Sequence, residues 1–231
     1  MKKLLSIFVL ALFFFNCGPS TSPVLLQKID DLSSYSSEQS FTASGQFLQP
    51  MPYEIGQWAT YVSKNGDEKT ISKTSIVGKE EDAWILETYS LTGKQESTSQ
   101  MCIVGIDNVR SEEDLDNIEI KWVKVLEKDQ VQTISGPILS LVKGVYKQAL
   151  KSMIVQVEGS VDGGTVRVPA GIFNGCSKVN SSVAFLGSKT VADTYYHVDV
   201  PINGMVKSVS DDGKYTMELV EFGKSGAVKS F

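Results

Sequence analysis

The stretch Trp58-Ala59-Thr60-Tyr61-Val62 runs into Asn65-Gly66 and on to a second β-prone segment, Thr70 to Val77. Aromatic and β-branched side chains fit a pleated, half-buried surface. Asn-Gly supplies the two positive-φ residues that a two-residue type I′ turn demands, so the three pieces read as a hairpin. The same texture continues outward. Ala83-Trp84-Ile85-Leu86-Glu87-Thr88-Tyr89 is closed by Thr92-Gly93, and Met101 to Ile106 and Ile118 to Leu126 follow. In the last of these Ile118, Ile120 and Trp122 alternate with charged residues, the period of a strand with one buried face.

One segment breaks the series. After Ser135-Gly136, Pro137 suits the first turn of a helix. Ile138, Leu141, Val142, Val145, Ala149 and Met153 then recur at helical spacing, with Lys143, Lys147 and Gln148 on other faces. Beyond it the chain returns to strand texture over Thr165 to Val168, Phe173 to Phe185, Thr194 to Val198, Met205 to Val209 and Tyr215 to Phe222. Asp211-Asp212-Gly213 forms the last turn. The pattern predicts one mainly β domain over residues 51–231. Its expected architecture is a curved antiparallel sheet, a half-open barrel, with one helix packed on the concave face. The stripe 138, 141, 142, 145, 149, 153 is expected to face the sheet.

The ends of the chain read differently. Residues 17–50 are rich in Ser, Thr, Gln, Pro and Gly, as in Ser33-Ser34-Tyr35-Ser36-Ser37, and read as a flexible tether with a short helix over 24–32. Before it, Lys2 and Lys3 precede Leu4 to Phe15, where Ser6 is the only polar side chain. That core has the length of a signal segment and falls short of the roughly 20 apolar residues needed to span a bilayer. Cys17 follows, and then Gly18-Pro19-Ser20-Thr21-Ser22-Pro23, which ends any helix. A peptidase that cuts before an acylated cysteine requires this arrangement, with residues 1–16 removed and Cys17 as the lipid anchor. An ordinary signal peptide, or a buried apolar N-terminus with a chance cysteine, is the competing reading.

The segment resembles the lipoprotein signals of bacteria. Where the familiar box has Leu and a small residue, this chain has Phe14 and Asn16, so it resembles the relaxed boxes of spirochaetes such as Leptospira. The resemblance implies acylation, palmitate among the fatty acids, and a place in the cell envelope. Gly18 is not the Asp that holds enterobacterial lipoproteins at the inner membrane, which implies the outer membrane. Three further stretches, Tyr53-Glu54-Ile55-Gly56-Gln57-Trp58, Val168-Pro169-Ala170-Gly171-Ile172-Phe173 and Asp199-Val200-Pro201-Ile202-Asn203-Gly204-Met205-Val206-Lys207, are similar to uncharacterised envelope proteins with the half-barrel of lipoprotein carrier and receptor proteins. That likeness implies an unclosed barrel with an apolar cavity and carries over no catalytic residue.

Charge narrows the partners. Without Lys2 and Lys3 the formal balance moves from −5 to −7, so nothing neutralises phosphates and nucleic acid is excluded as a partner. Charge-driven binding to anionic lipid is excluded on the same ground. The membrane would be held through the anchor. Two cysteines remain, Cys102 and Cys176, and an oxidising compartment leaves a disulfide between them open beside two buried free thiols.

Candidate chemistry is sparse. Ser140-Leu141-Val142-Lys143 matches S-x-x-K, but Lys189-Thr190-Val191 is no K-T-G partner. His197, the single histidine, reads as a partly exposed strand residue rather than a ligand or base. The acidic run Glu112-Glu113-Asp114-Leu115-Asp116 lacks the spaced ligands of a calcium loop and reads as a solvated loop. No catalytic residue, metal site or cofactor is assigned. Trp58, Trp84, Trp122 and Val145 are the expected lining of an apolar pocket, against the alternative that such aromatics are core. The expectation is a non-enzymatic lipoprotein taking a lipid, an acyl chain or a protein in its half-barrel. The alternative is a surface interaction or adhesion protein with a filled core.

Overall fold

The computed structural model describes residues 27, 30–32, 37–43, 47, 49–93, 95–109, 113–127, 130–158, 160–185 and 188–231. The strands are β1 (Ser40–Thr42), β2 (Trp58–Asn65), β3 (Glu68–Glu80), β4 (Ala83–Thr92), β5 (Gln95–Val104), β6 (Glu119–Glu127), β7 (Gln130–Ile134), β8 (Val161–Val168), β9 (Gly171–Phe185), β10 (Ser188–Tyr196), β11 (Met205–Ser210) and β12 (Tyr215–Gly223). One long helix, α1 (Gly136–Glu158), lies between β7 and β8. The strands form one sheet of twelve in the order β1-β9-β10-β11-β12-β2-β3-β4-β5-β6-β7, with β8 pairing β9.

Almost every neighbour is a hairpin partner. The β2–β3 hairpin forms, one residue along from the expected turn: Asn65 ends β2 paired with Glu68, and the two loop residues are Gly66, at φ +57°, and Asp67. The 211–213 turn joins β11 to β12. Two junctions are not local. β12 pairs antiparallel with β2, joining the end of the domain to its start. β1 pairs parallel with β9 through Ser40↔Ile172, Phe41↔Phe173 and Thr42↔Asn174.

The sheet is curved and unclosed, as the sequence pattern predicts. Near one end β8 curls back to touch β11 and β12, while α1 touches both β6 and β9. The helix therefore bridges the two ends of the strand order, where a closed barrel would have strand-to-strand hydrogen bonds.

Two clusters fill the inside. Beneath α1, Trp84, Ile76, Leu86, Ile103, Ile120, Val123 and Val142 pack with Tyr53, Leu139 and Tyr146. Under the curled end, Ala59, Tyr61, Val166, Val168, Phe173, Cys176, Val206 and Leu219 form the second. Phe173 is fully buried, stacked on Phe41 with centroids 4.7 Å apart and tilted against Phe222 at 6.0 Å.

Two expectations need correction. The domain does not begin at residue 51: β1 lies in the sheet, and Phe47 is buried against Val179 and Tyr196. Leu32 packs on Val62 and Ile71, and the Asp30 carboxylate meets Lys69 Nζ at 3.2 Å. A polar average over residues 17–50 hid three apolar anchors. Gln27 and residues 30–32 are helical, within the short helix expected over 24–32.

The buried stripe of α1 is also rotated. Leu141 is exposed and Val145 half-buried, while Leu139, Val142 and Tyr146 turn inward. That set has the same i, i+3, i+7 spacing, and it buries an aromatic ring that the predicted stripe leaves out. Ala149 and Met153 lie outside the described side chains.

Gly171 and Gly204, at the two Pro-Gly motifs, are required by their surroundings. At φ +146° a Cβ on Gly171 would sit 2.6 Å from the Gln39 carbonyl. Gly204, at φ +73°, lies against the Phe47 ring, which a methyl group would overlap.

Candidate functional site

The three tryptophans do not line one cavity. Registered partners on neighbouring strands point to the same side of a sheet, and the registers divide them. Trp84 pairs with Ile103 and faces α1. The set Trp58↔Ser75, Ser75↔Glu87, Glu87↔Gln100 and Gln100↔Lys124 runs along the opposite, outer face. Cys102↔Trp122 continues that face two residues along. The expected lining is therefore split, with Trp84 inside, Trp58 and Trp122 outside, and Val145 at the edge of the helix.

Beneath the first half of α1, residues 136–147, whose side chains are described, rings occupy the space. The Tyr53 ring meets Trp84 edge-on at 5.8 Å, and Lys79 Nζ sits 4.3 Å from the Trp84 ring centroid. Burial holds the Tyr53 phenol, and more strongly the Tyr146 phenol, above the usual tyrosine range. Trp84 Nε1 is buried with no hydrogen-bond partner among the described residues.

Among the described residues the cysteines are two free, buried thiols, Cys102 against Ile85 and Trp122, and Cys176 in the cluster under the curled end. The disulfide left open by the sequence is not formed, because seven strand positions separate β9 from β5 and each thiol is packed in its own cluster. Burial, and then the Glu80 carboxylate, raises the Cys102 thiol to about 11. Burial raises Cys176 to about 11 as well. Both shifts disfavour the thiolate.

His197 is not partly exposed but fully buried. It lies just past β10, edge-on to Phe173 at 5.2 Å. Its Nδ1 accepts the Asp199 amide N–H at 3.2 Å. That fixes the tautomer with the proton on Nε2, which donates to the Asn174 carbonyl at 3.2 Å. The side chain ties the 197–204 loop to β9. Desolvation is the largest influence and lowers its pKa. A folded-state value below the unfolded one means the unfolded chain binds more protons in between, so stability is full above about pH 6.5 and declines as pH falls below it. The urea midpoint is expected to drop between pH 7.5 and 5.5, with the drop reduced in His197→Gln; an unchanged drop in that variant would assign it to carboxylates instead.

Ser140 is exposed on α1 and Lys143 half-buried there, while His197, just past β10, is held on β9. Of the acidic run, residues 113–117 form a 3-10 turn pinned by buried Leu115. Among the described residues no three His, Cys, Asp or Glu side chains gather to hold a metal. No described helix is long and apolar enough to cross a membrane. Cys17 lies outside the described residues. An open cleft of about 560 Å³ lies where β8 curls over β10 and β11, lined by Arg167, Tyr195, Lys207 and Asp193 among others. Two of its charges are satisfied internally, Lys207 by Glu218 at 2.7 Å and Asp193 by Lys178 at 2.7 Å.

The constellation that sequence reading missed is on the outer face. Glu87 and Gln100 sit mid-strand, yet only 6% and 1% of their surface is exposed. Residues 224–231 cover them. Trp58 Nε1 donates to the Ser225 carbonyl at 3.2 Å, and the Ala227 amide donates to Gly56 O at 2.9 Å. Ser230 gives Glu87 its amide at 3.0 Å and its hydroxyl at 2.6 Å. Gln100 Nε2 donates to Glu87 at 2.8 Å and to the Phe231 carbonyl at 2.9 Å. The sole sequence signal was a lone acid in the apolar run Trp84 to Tyr89.

No protein-family model matches the chain, and no curated protein matches it. Among solved structures it is similar to a protein of Chlamydia trachomatis described as hypothetical, with a TM-score of 0.38 at 12% identity over 77% of this chain and 94% of that one. It is also similar to a protein of Parabacteroides distasonis described as a candidate lipoprotein, with a TM-score of 0.32 at 11% identity over 78% of this chain and all of that one. At these scores neither neighbour assigns an activity.

Proposed function

We propose that this chain is a lipid-anchored protein of the bacterial envelope, held at the outer membrane through Cys17, and that it acts by binding a protein partner on the outside of a filled domain. The N-terminal pattern of Lys2, Lys3, the apolar run to Phe15 and Cys17 supports the anchor. The observation that carries the second half is the packing beneath the first half of α1, where Trp84, Tyr53, Leu139, Val142 and Tyr146 pack together. Native interiors pack near crystal density, so a ligand there would have to displace rings rather than enter.

Lipid extraction tests the reading. Protein purified natively in detergent is expected to release no stoichiometric lipid beyond the covalent anchor when its extract is analysed by mass spectrometry. One acyl lipid per chain would instead establish the half-barrel carrier. Val142→Trp separates the same alternatives: in a filled core it overpacks and costs about 1–3 kcal/mol, whereas in a carrier it would block an apolar fluorescent probe at little cost in stability.

A further inference from the structure

We infer that the outer face of β2–β5 is a recognition surface for an extended peptide segment of a protein partner, and that residues 224–231 of the chain itself occupy it in the structure. This names the contact site of the binding reading above and rests on it.

The argument begins with Glu87. A carboxylate in the middle of a twelve-stranded sheet is costly to bury unless it is fully hydrogen-bonded. Here its partners are Gln100 and Ser230, and Ser230 alone supplies both an amide and a hydroxyl. Gln100 in turn spends its second amide hydrogen on the Phe231 carbonyl. Donor for Glu87 and acceptor for Gln100 is the complement of one stretch of extended backbone with a hydroxyl side chain. The surface thus reads the backbone of its occupant and one side chain, the pattern by which folded domains recognise linear segments.

The present occupant is held by polar contacts more than by apolar burial, with Lys224 Nζ on the Asp199 carboxylate at 3.0 Å beside the hydrogen bonds above. Val228 is 81% exposed, and residues 224–226 and 228–230 are exposed too, so few apolar contacts hold the strap. Segments secured by a handful of hydrogen bonds open locally at small free energy. Release is eased further because uncovering Glu87 returns its carboxylate to water. Gln100 Oε1, fully buried, has no donor among the described residues while the strap is in place. A segment that offers one more N–H or O–H at that point would fit better than the strap does.

The experiment uses the full-length chain in detergent micelles and a fluorescently labelled peptide, Lys-Ser-Gly-Ala-Val-Lys-Ser-Phe, the sequence of residues 224–231. In the wild type the tethered strap competes at high effective concentration, so the free peptide binds weakly. Ser230→Ala removes the strap's hydroxyl contact, and the peptide is expected to bind about tenfold more tightly by fluorescence polarisation. Adding Glu87→Gln to that variant is expected to reverse the gain, with the circular dichroism spectrum unchanged. Hydrogen exchange gives a second reading: the Ala227 and Ser230 amides are expected to exchange well before those of β3 and β4. Peptide affinity unaltered by Ser230→Ala, or strap amides that exchange only with global unfolding, would overturn the inference while leaving the lipid-extraction test untouched. A concentration-dependent dimer dispersed by the peptide would overturn it in favour of strap exchange between two copies.

Discussion

Phe173→Ala is expected to lower the stability of the domain by about 3–5 kcal/mol, the range for removing a fully buried aromatic ring. The ring has no exposed surface. It stacks on Phe41, meets His197 edge-on, and reaches Phe222. Each neighbour comes from a different part of the chain, so the void cannot collapse by moving one element. Domains carry about 5–15 kcal/mol in total, so the variant would lose a large fraction of its folded margin. At about 2–4 °C per kcal/mol for a domain of this size, the melting temperature should fall by roughly 6–20 °C. Phe41→Ala should cost less alone, because Phe41 is only partly buried, and little more once Phe173 is gone, because the two share one contact. A Phe173→Ala variant within about 1 kcal/mol of wild type in urea would show that β1 is not docked on β9.

Cys17→Ala is expected to abolish fatty-acid labelling altogether and to leave residues 1–16 attached. The variant chain would carry no acyl group, since Cys102 and Cys176 lie far from the signal core and are buried in the sheet. Several acyl chains hold a protein where one would not, so losing all of them should move the chain from the membrane fraction, apart from what the uncut apolar segment retains. Metabolic labelling with palmitate and intact-mass measurement check both halves. Normal labelling would remove the anchor, and with it the envelope reading.

Most of the sheet was legible because hairpins are local. A period of two, Asn65-Gly66 and the 211–213 turn specify neighbours within a few residues of one another. What escaped is what depends on distant residues. β1 is three residues long and pairs in parallel with a strand some 130 residues away, so no turn announces it. Phe47 lies in polar surroundings, and only its neighbours Val179 and Tyr196 give it a place. The α1 stripe was found at the right period and the wrong angle, since 138, 141 and 145 satisfy the same spacing as 139, 142 and 146. Glu87 had the alternation of an exposed strand residue; the segment that buries it is 143 residues further on. The three tryptophans were read as one set because composition carries no sidedness, whereas the registers put Trp84 on one face and Trp58 and Trp122 on the other.

The pairing of β2 with β12 has a kinetic consequence. Synthesis runs from the N-terminus, so β2 through β7 can meander into place while β12 is still unmade. Until Tyr215 to Gly223 arrives, β2 shows a bare edge from Trp58 to Asn65, its N–H and C=O groups open to any other strand. Non-local pairing of this kind slows folding and lengthens the life of aggregation-prone intermediates. The rate at which the last hairpin reaches the first should therefore govern the yield of native protein. A chain joined through new termini in the β7–α1 turn, with β12 synthesised before β2, should fold faster and aggregate less.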